Sequence, residues 1–169
     1  FNNEFNSENF LRVPEPLIQK QFSRIMSLKD GKKKMSKSDP SDLSRINLTD
    51  DKEQISNKIK KAKTDTLPLP SIEENLDQRS EAENLIGIYS SLSNQSLDKS
   101  KKEFSGKNFS EFKEKLSTLL IEKIEPIGKE IKKLLREEKY LDQILLDGAK
   151  KAENIASKKI KKMKELVGF

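Results

Sequence analysis

The sequence predicts a mainly α-helical chain: one short strand, a basic loop, then a bundle of five or so helices. Three observations predict it. Beyond Asp50 apolar residues recur at threes and fours through most of the chain, as the buried face of a helix requires. Only one short apolar run, residues 23–28, is bounded by turn residues (Asp30 and Gly31) in the way of a buried strand. Hydrophobic residues make up 33% and charged residues 37%, a ratio at which helices fold if the apolar positions are in register.

The elements follow in order. Residues 1–22 carry Asn, Pro and scattered aromatics without period and read as a loop. The strand, apolar at Ile25, Met26 and Leu28, runs directly into the basic loop, residues 32–40. After the turn signal Ser38-Asp39-Pro40, an extended piece around Ile46 and Leu48 leads to Asp50, which with Glu53 has the spacing of a helix-capping pair. Asp50, Asp51 and Glu53 read as that helix start and not as a metal cluster. Ile55, Ile59 and Ala62 then share a helical face, and Lys60, Lys61 and Lys63 complement the negative end of its dipole. From residue 64 the period vanishes and Pro68 and Pro70 mark a connector.

Ser80 and Glu83 repeat the capping spacing and open a helix whose Ala82, Leu85, Ile86, Tyr89 and Leu92 share a face. A shorter helix over 97–104 stops at Gly106. The longest periodic stretch carries Phe109, Phe112, Leu116, Leu119, Ile124, Ile127, Ile131, Leu134 and Leu135, with Pro126 inside it predicting a kink. Phe109 and Phe112 fall in that register, so they read as core and not as a base-stacking pair. In the last helix Ala149, Ala152, Ile155, Ala156, Ile160, Met163 and Leu166 line one face, with lysines largely off it.

Composition narrows the chemistry. A net charge of +6 and 34 basic residues against 28 acidic ones point to a polyanionic partner, RNA or nucleotide phosphates first. There is no Cys and no His, so disulfides, thiolate or imidazole metal sites and imidazole general bases are excluded from this stretch. No apolar run reaches membrane-spanning length. The start at Phe1, without Met or a leader, reads as a piece of a longer, cytoplasmic chain.

The basic loop KKKMSKSDP holds Lys32, Lys33, Lys34 and Lys37 with two serines around Met35. A solvated turn is the ordinary meaning of such a run. Here it follows a strand, where open α/β sheets bind nucleotides. Lysine offers phosphate a compact cation, and serine hydroxyls and loop amides offer hydrogen bonds. Gly31 and Pro40 would let the loop swing as a unit between two ends.

Lys34-Met35-Ser36-Lys37-Ser38 resembles the KMSKS signature of class I aminoacyl-tRNA synthetases. RIMSLKDGKKKMSKSDPSDLSRINLTDD and KIKKAKTD resemble the segment closing the catalytic domain in the bacterial-type tryptophanyl-tRNA synthetase family. NLIGIYSSLS, FKEKLSTLLIEKIEPI and LDGAKKAENIA resemble its helical domain, so the likeness covers nearly the whole chain.

The resemblance implies the end of a Rossmann-type ATP-binding domain over residues 1–63, a connector over 64–79, and a helical tRNA anticodon-binding domain over 80–169. It implies ATP-dependent activation of L-tryptophan with release of pyrophosphate, then transfer to tRNA(Trp). Lys34 and Lys37 would be the catalytic residues, neutralising the triphosphate with Mg²⁺ sharing the task. Met35, Ser36 and Ser38 would complete the ATP contacts, and Ile25 and Met26 would approach the adenine through backbone and apolar contact. A homodimer is the family's habit. The upstream half with its HIGH-type motif and indole pocket is absent, so the piece alone would be inactive. A tyrosine-specific relative and a non-catalytic helical RNA-binding module are the alternatives. The lysines over 150–164 are either a solvated helix face or a contact for RNA phosphate.

Overall fold

In a computed structural model of the chain, residues 1–18, 22–76 and 78–169 are described. The elements are β1 (Met26–Ser27), β2 (Asp30–Lys34), a 3-10 turn (Asp42–Ser44), α1 (Lys52–Lys60), α2 (Ser80–Ser93), α3 (Leu97–Phe104), α4 (Phe109–Leu134) and α5 (Glu138–Val167). They form two compact units, residues 19–132 and residues 1–18 with 133–169.

The larger unit has one core. Leu28 beside the hairpin, Ile55, Ile59 and Ala62 on and just beyond α1, Leu69 in the connector, Leu85 and Ile86 on α2, Phe104 on α3, and Phe112, Leu116 and Leu120 on α4 bury together. The Phe104 ring meets Tyr89 and Phe112 edge-on, each with centroids 4.8 Å apart. Two glycines permit close approaches. A Cβ on Gly31 would stand 2.5 Å from the Ser80 carbonyl carbon, so β2 crosses the start of α2 at backbone contact. A Cβ on Gly87 would enter the Phe22 ring, which lies against α2 there.

The expected stripe of α1 is buried, as are Ala82, Leu85 and Ile86 of α2, with Tyr89 and Leu92 partly buried against the core, and α3 spans the predicted residues, with Gly106 at φ 72°. α4 runs unbroken through Pro126, although its face loosens beyond Leu120, where Ile127 is exposed.

The chain's first half departs from the reading above. The strand expected over 23–28 is two residues long and pairs antiparallel with β2, Met26 opposite Lys34 and Ser27 opposite Asp30. Ile25 is 45% exposed, and the buried Leu28 lies past the strand, its N–H donating to the Ser44 carbonyl and its carbonyl accepting from Lys63. Thus Lys32, Lys33 and Lys34 belong to a strand and not to a loop, and Gly31, wedged on α2, is no free hinge. A 3-10 turn, not foreseen, precedes Ile46 because Ser44 bonds back to the Ser41 carbonyl through its N–H and its hydroxyl.

Both predicted helix starts are shifted. α1 is capped by Asp51 and Gln54, whose side chains bond each other's backbone N–H at 2.9 Å. Asp50 is instead buried and accepts from Lys58 Nζ at 2.6 Å. At α2 no Ser80–Glu83 box forms; Arg79 stands at the cap, and Ser80 is already helical, its hydroxyl 3.2 Å from Glu81 Oε2. Arg79 is held in the connector by Asp65, Glu74 and the Pro68 carbonyl, each at 2.8 Å, which sets where the helix begins.

The smaller unit holds the aromatic cluster of Phe1, Phe5 and Phe10 together with α5. Lys159 lies 4.1 Å over the Phe10 ring and donates to the Phe10 carbonyl. The stripe predicted to bury along α5 does not: no residue of this helix is buried, and Ile155 is 75% exposed. Periodicity marks the face a helix can bury, but burial needs a partner surface.

Candidate functional site

The residues singled out by sequence come together at the open end of the β1–β2 hairpin, away from its turn at residues 28–29, where Met26 stands opposite Lys34. β2 carries Lys34 outward, and the chain then turns over residues 35–41. Met35 pins the start of this turn: its N–H donates to the Ile25 carbonyl at 3.0 Å and its side chain packs on the core. Ser36 and Ser38 share a hydroxyl hydrogen bond of 3.0 Å, and the Ser38 N–H donates to Ser36 Oγ at 3.3 Å. This closes a small ring that sets the backbone on either side of Lys37. At the far end the Ser41 N–H donates to Asp39 Oδ1 at 2.8 Å.

Lys34, Ser36, Lys37 and Ser38 are exposed, and neither ammonium group is ion-paired among the described residues. Uncompensated cations beside hydroxyl groups, on a backbone held at both ends, are what an incoming triphosphate needs. Among the described residues no group of three or more acidic side chains could hold a metal. The site offers cations and hydroxyls.

Ile25 and Met26 sit at the base. Ile25 gives its carbonyl to Met35. Met26 is gripped by the buried Asn84 of α2, whose amide accepts from the Met26 N–H and donates to the Met26 carbonyl, both at 2.9 Å. The Met26 N–H is therefore committed. Its side chain lines a cleft of about 980 Å³ with Phe22, Gly31, Asn84 and Gly87, and none of residues 34–38 lines that cleft.

Three residues that position this turn escaped the sequence reading: Asn84, Arg45 and Lys58. Asn84 sits beside Leu85 in a helix read only for its apolar face. Lys58 falls on the same face as Ile55 and Ile59 and is 2% exposed. A lysine in an apolar register, with aspartates upstream, was the available signal.

Residues 1–125 match the family described as tRNA synthetases class I (W and Y). The chain belongs to this family. It is 46% identical over 169 residues to the tryptophan–tRNA ligase of Caulobacter vibrioides, covering 100% of this chain and 49% of the relative. It is 49% identical over 160 residues to that of Mesorhizobium japonicum, covering 95% and 45%. Among solved structures it is similar to tryptophanyl-tRNA synthetase from Mycoplasma pneumoniae, with a TM-score of 0.83 at 25% identity, covering 99% of this chain and 49% of that one. The chain thus spans about half the length of the curated relatives it matches. The fold is that of the helical portion and adjoining loop of a class I synthetase.

Proposed function

We propose that this chain is the C-terminal half of a cytoplasmic tryptophan–tRNA ligase and carries its triphosphate-closing loop. The carboxylate of L-tryptophan attacks the α-phosphate of ATP, the bond to the β-phosphate breaks, and pyrophosphate leaves with the electron pair. A hydroxyl of the terminal ribose of tRNA(Trp) then attacks the aminoacyl carbonyl, losing its proton, and the bond to the phosphate oxygen breaks to release AMP. Lys34 and Lys37 neutralise charge as it builds on the departing pyrophosphate, and Ser36 and Ser38 donate hydrogen bonds or hold the loop's shape. Mg²⁺ enters on the ATP. Ile25 and Met26 border the adenine.

Residues 1–63 act as the end of the ATP-binding domain, 64–79 as the connector and 80–169 as the tRNA-binding part. The complete enzyme works as a homodimer. The observation that carries this reading is the intact Lys34–Ser38 loop, beside a pinned Met35, with both ammonium groups exposed and without an ion pair among the described residues. The tryptophan–tRNA ligases at 46% and 49% identity support tryptophan over tyrosine.

The test is ATP–pyrophosphate exchange by the full-length protein carrying this chain, offered tryptophan and tyrosine separately, with the 169-residue chain alone as control. Exchange with tryptophan only is the expected result. Exchange with tyrosine only would transfer the reading to the tyrosine enzyme. No exchange from a folded protein that still binds tRNA would replace catalysis with RNA binding.

A further inference from the structure

The lysine turn has two roots, and they are held differently. The first is held by strand pairing and by Met35. The second, at Asp39 and Ser41, has no strand to hold it: the Ser41 carbonyl accepts from the Ser44 N–H and hydroxyl, Lys29 Nζ lies 3.5 Å from Ser41 Oγ, and the Asp39 carbonyl is taken by the Arg45 side chain. Arg45 Nη1 donates to the Asp39 carbonyl at 2.9 Å and lies 3.5 Å from the Ser41 carbonyl. Its other nitrogens are engaged as well: Nε donates to Asn47 Oδ1 at 3.1 Å, and Nη2 pairs with Asp42 Oδ1 at 3.2 Å.

The partners of Arg45 are fixed in turn. Asn47 Nδ2 donates to Asp42 Oδ1 at 3.0 Å and to Asp50 Oδ1 at 3.2 Å, and the Asn47 N–H donates to Asp50 Oδ2 at 2.8 Å. Beneath them Lys58 Nζ joins Asp50 Oδ2 at 2.6 Å to Asp42 Oδ2 at 2.7 Å. Asp42 is exposed, but Lys58 and Asp50 are buried, and α1, which carries Lys58, is anchored in the core by Ile55 and Ile59. A rigid fork with all three of its nitrogens engaged has one geometry, whereas a surface arginine has many.

We propose that Arg45 is a positioning residue for the reaction: braced from α1 through Asp42 and Asn47, it fixes the Asp39–Ser41 root so that Lys37 meets the triphosphate in one orientation. The proposal rests on the function proposed above. Arg45 itself acts only through the loop. Losing it leaves Lys37 charged and present but spread over many placements, which lowers the rate of the chemical step and leaves tryptophan binding alone.

The experiment is a double-substitution cycle in the full-length protein, read as ATP–pyrophosphate exchange with melting temperature measured alongside. Arg45→Met is expected to lower kcat roughly ten- to hundredfold with the KM for tryptophan unchanged, a loss of the size that misplacing a catalytic group produces. Arg45→Lys, with charge but no fork, should recover only part of it. In a Lys37→Ala background Arg45→Met should cost less than about twofold more, because residues that act as a unit are not additive.

Full activity in Arg45→Met would overturn the proposal. So would the same factor lost with and without Lys37, since that is the mark of general damage. If Arg45→Met does not fold, Asp42→Asn removes the exposed carboxylate on Arg45 and keeps the Lys58–Asp50 pair. It should show a smaller drop that likewise vanishes without Lys37; an undiminished drop there, or none at all, counts against Arg45. Absence of exchange in the unsubstituted protein would strike the proposed function instead of the latch.

Discussion

Two lysine-rich regions, residues 32–37 and 150–164, look alike as text and differ in what stands beneath them. The first rides on a paired strand, a methionine packed into the core and a root held by Arg45. The second lies on α5, a helix of 30 residues of which none is buried. A cation becomes a site when the backbone carrying it has little freedom. On an unburied helix the same charge acts as a diffuse field, useful to a polyanion but unable to select one oxygen.

The comparison breaks first at the core. Phe112→Ala is expected to cost about 3–5 kcal/mol in urea unfolding, the range for a fully buried aromatic. Ile155→Ala on α5 should stay within about 0.5 kcal/mol. Equal losses at the two positions would mean that α5 is as well packed as the core.

Catalytic charge comes next. Lys37→Ala should slow adenylate formation by roughly 100- to 1000-fold, the loss seen when one preorganised donor is removed. Replacing Lys158, Lys161 and Lys162 by alanine should leave exchange untouched, weaken tRNA binding and flatten its salt dependence. If Lys37→Ala instead weakened tRNA binding and spared adenylate formation, the two regions would have been assigned the wrong way round.

Gly31→Ala places a methyl group 2.5 Å from the Ser80 backbone. The hairpin must then lift from α2, at a cost of about 1–3 kcal/mol by the measure of overpacked sites. Thermal melting would register it, and an unchanged melting temperature would show that the hairpin rides free of α2.

The smallest effect is acid sensitivity. The Lys58 hydrogen bond holds Asp42 below its ordinary 3.8, and Arg79 and Lys63 hold Glu74 and Glu81 below 4.5. Each pKa is lower in the folded state than in the unfolded one. The stability these groups add is therefore fully present above about pH 4.5 and is lost as pH falls through the folded values. Asp42 and Glu74 are exposed and Glu81 is partly buried, so the loss should be modest. Melting temperature followed from pH 6 to pH 3 should decline on the acid side, and a rise there would contradict the pairing.

Much of the fold was legible because its signals are local. α3 and the buried faces of α1 and α2 follow from apolar spacing, and Gly106 marks a stop that its left-handed backbone explains. The two misplaced helix starts have one cause: a residue read for a local role is displaced by an ion pair from elsewhere in the chain. Asp50 has the spacing of a cap, but Lys58 draws it inward and Asp51 takes its place. Ser80 has the same spacing, but Arg79, tied to Asp65 and Glu74, decides where α2 begins. On α5 the apolar spacing marks a face, and none of its residues is buried.

What the sequence determined by itself is the helical course of the chain and the Lys34–Ser38 pentamer, because periodicity and a contiguous motif need no knowledge of what lies across space. The tertiary structure alone decided that the first lysines form a strand, that Asn84 grips Met26 and that Arg45 clamps the far root of the turn. Those contacts join residues up to 58 positions apart. Hydrogen-bond geometry of that kind is settled only when the core brings the partners within about 3 Å.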